Sequence, residues 1–185
     1  MAKLLFINPV VREEDEPRHV PYGMALLAAI IMRQGHAVQV FDANAWRESD
    51  AVLAQVLKAD RWDVIGIGGI TTAYRSIKHI TAIAKEVAPQ ALLVAGGGFL
   101  TSMPHEIMRF LPQVDVGVVG EAFVSFPELL RRMDAGNCDW GAIPGLIWRE
   151  ALGKTTLNPE QPLMMDLDSL PYPAWELFPL EVYFK

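Results

Sequence analysis

Leu92 to Met103 reads LLVAGGGFLTSM: an apolar strand, a run of glycine and the approach to a helix. Leu92 to Ala95 carry the strand, and Gly96, Gly97 and Gly98 follow it without interruption. A helical pattern opens near Met103, with Thr101 and Ser102 placed as caps and Glu106 in the first turn. A tight turn needs a single glycine. A run of them strips side chains from the carboxyl end of a strand, where an open α/β sheet places its ligand. The pattern points to something large and flat, or another backbone, coming very close.

The same alternation extends in both directions. Before it, Asp63 to Gly68 (DVIGIG) is a buried strand followed by Gly69-Ile70-Thr71-Thr72. The helix from Tyr74 to Val87 lines Ile77, Ile80, Ile83, Ala84 and Val87 on one face and stops at Pro89. After it, Asp115 to Val119 is a strand ending in Gly120-Glu121, and Ser125 with Glu128 has capping-box spacing for a helix reaching Met133. Near the start, Lys3 to Ile7 is a strand stopped by Asn8-Pro9, and a charged loop runs from Val10 to Pro21. Tyr22-Gly23 opens a helix closed by Gly35 and apolar almost all round, so it needs cover on both sides. His36 to Phe41 alternates as a further strand, and Ser49 caps a helix to about Lys58. Strands alternating with helices across short turns predict an α/β fold: a flavodoxin-like, doubly wound, five-stranded parallel sheet of order 2-1-3-4-5.

The character changes after Gly136. Gly145 to Arg149 and Lys154 to Asn158 predict a hairpin about Leu152-Gly153. From Pro159 onward, five prolines alternate with acids and aromatics, which excludes a regular helix or central strand. Trp175, Phe178, Tyr183 and Phe184 are too apolar for an idle linker and predict packing on this domain or on a downstream one. The organisation expected is a binding domain at 1–135, a hairpin extension at 136–158 and a linker at 159–185.

The 185 residues are 51% apolar and 21% charged, a globular composition. A net charge of −6 without any basic block argues against nucleic acid as a partner. Apolar runs are broken well short of a membrane span, and Lys3 precedes a short strand-like run and no signal-peptide core. The lone Cys138 excludes an internal disulfide or a multi-cysteine metal site within these residues, so a cytoplasmic protein is the expectation.

Every loop on the carboxyl edge carries glycine, threonine or proline: Asn8-Pro9, Gly68-Gly69 with Thr71-Thr72, Gly96-Gly97-Gly98 and Gly120-Glu121. Neither a GxGxxG fingerprint, a P-loop nor a Gly-x-Ser-x-Gly elbow is present, and Asn8 stands where a phosphorylated acid would be needed. On these residues alone, an FMN- or nucleotide-binding module and a partner-docking domain with an aromatic interface both stay open.

The motifs nonetheless resemble a family. Ile7-Asn8-Pro9, the Gly-led helix with its Gly35-His36 turn, DVIGIGG with Thr71-Thr72, and VAGGG are part of the likeness. VVGE, GLIWRE and above all DLDSLPYPAWELFP complete it. Together they resemble the N-terminal cobalamin (vitamin B12)-binding domain of cobalamin-dependent radical SAM enzymes, a group of methyltransferases and the anaerobic magnesium-protoporphyrin monomethyl ester cyclase. The resemblance implies that cobalamin lies on the rim made by Asn8, Pro9, Tyr22, Gly23, Gly68, Gly69, Thr71, Thr72, Gly96, Gly97, Gly98, Gly120 and Glu121. Gly96-Gly97 matches the family's Gly-Gly pair beside the nucleotide tail. The Asp-x-His-x-x-Gly motif that ligates cobalt elsewhere in this fold is missing, which implies cobalt with no protein histidine below it. His19 is the nearest candidate for an axial ligand; His36, His79 and His105 read as structural. Glu121 is the one rim carboxylate singled out, and no general acid or base is expected. The resemblance also implies a downstream radical SAM domain past Lys185, with S-adenosylmethionine and a [4Fe-4S] cluster held outside these residues.

Overall fold

The computed structural model describes residues 1–150 and 153–185. Strands β1 (Lys3–Asn8), β2 (Ala37–Asp42), β3 (Val64–Gly68), β4 (Leu92–Gly96) and β5 (Val116–Val118) pair in parallel. Strands β6 (Leu146–Arg149) and β7 (Thr155–Leu157) continue the same sheet antiparallel. The order is β2-β1-β3-β4-β5-β6-β7, so the doubly wound core is as expected and the hairpin lengthens it to seven strands. Gly117 explains the join, because a Cβ there would lie 2.6 Å from Ile147 Cγ2 and 2.8 Å from Leu100 Cδ1. Of the turn residues expected at the hairpin tip, Leu152 lies outside the described residues; Gly153 takes φ +81°.

Two apolar layers sandwich the sheet. Helix α1 (Tyr22–Arg33) and a later helix at Ala122–Asp134 pack on Leu4, Phe6, Val94, Val116 and Val118. Between them in the chain come α2 (Ala43–Trp46), α3 (Asp50–Lys58), α4 (Tyr74–Val87), α5 (Gly98–Ser102) and α6 (Pro104–Phe110), which makes the Ala122–Asp134 helix α7. Leu53, Ile77, Phe99 and Met108, from α3 to α6, cover the opposite face with Leu5, Ile7, Ile65 and Leu93. Alternation along β1 thus sends Leu4 and Phe6 one way and Leu5 and Ile7 the other, each burial contributing about 1.5–3 kcal/mol.

Two helix starts differ from the sequence reading. The chain turns at Gly97 (φ +89°) and becomes helical at once, so α5 begins at Gly98 and Pro104 opens α6 as a separate helix. Thr101 and Ser102 therefore lie inside α5 and cap nothing: Thr101 Oγ1 accepts from Gly120 N–H at 3.0 Å, and Ser102 Oγ donates to Gly98 O at 2.6 Å. Helix α7 likewise starts at Ala122, ahead of Ser125. Ser125 is buried inside it and donates to Pro144 O at 2.7 Å, which leaves no capping box.

Glu128 instead accepts from Arg131 Nε at 2.6 Å and Arg132 Nε at 2.9 Å. Arg131 first, then Arg132, hold its carboxyl down at about 2, against an ordinary 4.5. A carboxyl lowered on folding adds stability above its unfolded value and loses it as pH falls. The stabilisation of parent over Glu128→Gln is expected to fade between about pH 4.5 and 2. Because these groups are partly solvated, the difference in thermal melts is expected below about 1 kcal/mol.

The tail packs on this domain. Ala174 N–H donates to Ala25 O at 3.0 Å, Arg33 reaches Ser169 O, and the Trp175 ring lies 5.9 Å from that of Tyr22. The second side of the almost wholly apolar α1 is thereby covered. Phe178 and Tyr183 are buried, whereas Phe184 is 75% exposed. A short helix, α8 (Leu180–Tyr183), ends the run.

Candidate cofactor site

Strand order reverses between β1 and β3, the crevice where open α/β sheets bind ligands. A cleft of about 390 Å³ lies there, between Val10–Asp15 of the loop after β1 and Thr72, Arg75 and Ser76 at the head of α4. A second, of about 500 Å³, lies on the other face, where Tyr22 and Leu26 of α1 and Glu121 and Phe123 at the head of α7 meet Leu167–Pro173 of the tail. Strands β3 and β4 end side by side on Gly68 and Gly96, which line neither cleft.

These glycines are not equivalent. A Cβ on Gly97 would sit 2.7 Å from Gly69 O and 2.8 Å from Gly69 N, and φ is +89°. Gly69 O also accepts from Phe99 N–H at 3.2 Å, so the approaching backbone at Gly97 is the protein's own. Gly96 and Gly98 differ: their nearest neighbours would be Val118 O at 3.8 Å and Ile70 Cγ2 at 3.9 Å. Side chains have room there, and none is present. A Cβ on Gly68 would meet Gly96 O at 3.4 Å, and one on Gly69 would lie 3.3 Å from Ile77 Cδ1 and 3.5 Å from Pro9 Cγ. Ile70, between Gly69 and Thr71, stands 53% exposed at the top of this ridge.

The remaining rim residues divide. Thr72 lines the first cleft; Tyr22 and Glu121 line the second; Gly23, Thr71 and Gly120 are exposed at helix starts and turns. Asn8 is buried and already engaged, its Nδ2 donating to Asp42 Oδ1 at 2.8 Å and to the Tyr183 hydroxyl at 3.0 Å. That hydroxyl donates to Asp42 Oδ2 at 2.7 Å, and burial, then Asp42, push its ionisation upward. His19 is exposed on its loop and lines neither cleft. His36, expected on a turn surface, is buried, its Nδ1 accepting from Ala2 N–H at 3.0 Å, and the exposed His79 pairs with Asp50 at 2.8 Å. Arg75, Ser76, Asp42 and the Leu167–Pro173 wall escaped the sequence reading. Only the aromatic content of the tail hinted at the last.

The architecture is that of an open α/β domain with a cleft at its topological switch. The chain belongs to the B12 binding domain family, which it matches over residues 9–130. It is 31% identical to an uncharacterized methyltransferase of Pyrococcus horikoshii, over 88% of this chain and 35% of that protein. It is 27% identical to the anaerobic magnesium-protoporphyrin IX monomethyl ester cyclase of Rubrivivax gelatinosus, over 98% of this chain and 34% of that one. The chain thus spans about a third of these relatives. Its fold matches that of TsrM from Kitasatospora setae, a radical S-adenosylmethionine methyltransferase solved with cobalamin and a [4Fe-4S] cluster. The TM-score is 0.75 at 20% identity, over 92% of this chain and 31% of that one. Among the described residues no helix is long and apolar enough to cross a membrane, and no cluster of side chains is arranged to hold a metal ion.

Proposed function

We propose that the carboxyl edge of this domain holds cobalamin and presents it to a radical SAM domain of the same native protein. The observation that carries the reading is the side-chain-free stretch at Gly96 and Gly98, where an added Cβ would meet nothing closer than 3.8 Å, on a sheet that has a cleft at each face. Those features fit a broad ring laid on backbone with a long substituent reaching past the edge. Ile70 offers the ring an apolar contact, and Thr72, Ser76 and Arg75 offer hydrogen bonds to its amides. Tyr22, Phe123 and Glu121 line the space beside α1 and α7. When bound, the corrinoid supplies either a transferable methyl group or assistance to a radical step.

In this reading the residues of this chain bind and orient; Glu13, Glu14 and Asp15 line the first cleft, Glu121 and Asp168 the second, and neither lining includes a histidine. In this reading 1–135 is the binding unit, 136–158 its extension and 159–185 the link to the catalytic domain, which brings S-adenosylmethionine and the [4Fe-4S] cluster. A cytoplasmic, reducing setting suits the single free Cys138.

The test is retention. Mixed with hydroxocobalamin and passed through gel filtration, the chain is expected to emerge red, with corrinoid at roughly equimolar amount. A colourless but folded protein would sink the proposal. Yellow, fluorescent protein after incubation with FMN would favour a flavin module in its place.

A further inference from the structure

Asn8, Asp42, Asn44 and Tyr183 form a buried polar cluster at the carboxyl ends of β1 and β2. Three of them belong to the sheet and its first corner; Tyr183 arrives from the tail. The corner is held by several bonds at once. Asp42 Oδ1 accepts from Ala45 N–H at 3.0 Å, Asn44 Oδ1 accepts from Val11 N–H at 3.1 Å, and an Arg47 guanidinium N–H donates to Asp15 O at 2.8 Å. Arg47 itself takes φ +55°, a left-handed conformation that persists only where neighbours impose it. Val11 and Asp15 line the cleft beside α4. Asp42, which holds the tail, and Asn44, which holds the loop bordering the first cleft, thus sit two residues apart on one hydrogen-bonded corner.

We propose that Tyr183 is a latch: its hydroxyl fixes the tail on Asn8 and Asp42, and through them sets the loop of Val10–Asp15, so that tail docking and loop closure are one equilibrium. Without the hydroxyl, Asn8 and Asp42 lose a partner in a buried setting, and the corner on which the loop depends is loosened. Any segment that pulls on the tail then also opens the loop. The inference concerns this chain's own conformations and does not depend on which ligand the rim takes.

Amide hydrogen exchange on the full chain, without corrinoid, is the test. Tyr183→Phe keeps the ring and removes only the hydroxyl. It is expected to raise exchange at Phe184 and Val182 in the tail and, by the same factor, at Val11 and Ala45, about tenfold or more for the two buried hydrogen bonds lost. Amides at the centre of β1 keep their parent rates and report an intact sheet. Tyr183→Ala, confirmed folded by circular dichroism, is expected to release the same amides further. Faster exchange confined to the tail, with Val11 and Ala45 unchanged, overturns the latch. So does release by Tyr183→Ala with none by Tyr183→Phe, which would assign the hold to apolar packing of the ring.

Discussion

Gly97→Val is expected to melt well below the parent protein in the absence of any ligand. The Cβ of any residue here would stand 2.7 Å from Gly69 O, a contact with backbone that no rotamer relieves. At φ +89° and ψ −176° a non-glycine residue also enters a region open essentially to glycine alone, at a cost of about 1–2 kcal/mol or more. The forced overlap adds about 1–3 kcal/mol more. A loss of about 2–5 kcal/mol is a large part of the stability of a domain this size. Gly97→Ala shares both faults, since its only added atom is the offending one, and is expected to fall in the same direction. Thermal or denaturant melts of the apo-protein decide the matter, and a parent-like transition for Gly97→Val would show that the corner relaxes freely.

Gly98→Leu is expected to do the reverse: fold normally and lose the corrinoid. A Cβ there reaches nothing closer than Ile70 Cγ2 at 3.9 Å, and the backbone is in the ordinary helical range. Replacing glycine at the first position of a helix by a better helix former leaves folding stability within about 1 kcal/mol. The isobutyl group instead fills space over the ridge. Overpacking of about 1–3 kcal/mol at a close contact translates to a weakening of roughly fivefold to more than a hundredfold. Spectrophotometric titration with hydroxocobalamin reads the result. Parent-like affinity in Gly98→Leu would mean that the ligand does not touch this ridge. The pair of substitutions separates the glycine that shapes the corner from the glycine that clears the surface.

That separation was not legible in the sequence. GGG announces close approach, but not by what, and the answer at Gly97 is Gly69 of the neighbouring loop. The parallel core was legible because runs such as KLLFI and DVIGIG, buried on both faces, alternate with helices whose apolar stripe has a 3.6-residue period. The hairpin was legible as a hairpin, yet its pairing with β5 depends on Gly117 leaving room for Ile147 and Leu100, a complementarity between distant residues. Capping-box spacing at Ser125 and Glu128 misled because Ser125 bonds to Pro144, contributed by a later loop. Of the rim residues, Asn8 was placed at the correct edge, but its partner Tyr183 is far along the chain and nothing local signals the bond.

The antiparallel hairpin also bears on solubility. A parallel sheet that stopped at β5 would present the open N–H and C=O groups of an apolar strand, Val116 to Val118, to any other chain in solution. Here β6 pairs with that row, and the exposed margin passes to β7, which is short and carries Thr155, Thr156 and Leu157. A short, hydroxyl-bearing border recruits other strands poorly. The hairpin thus serves as the terminal cap of the sheet, and a recombinant boundary drawn at residue 135 would trade that cap for a sticky edge.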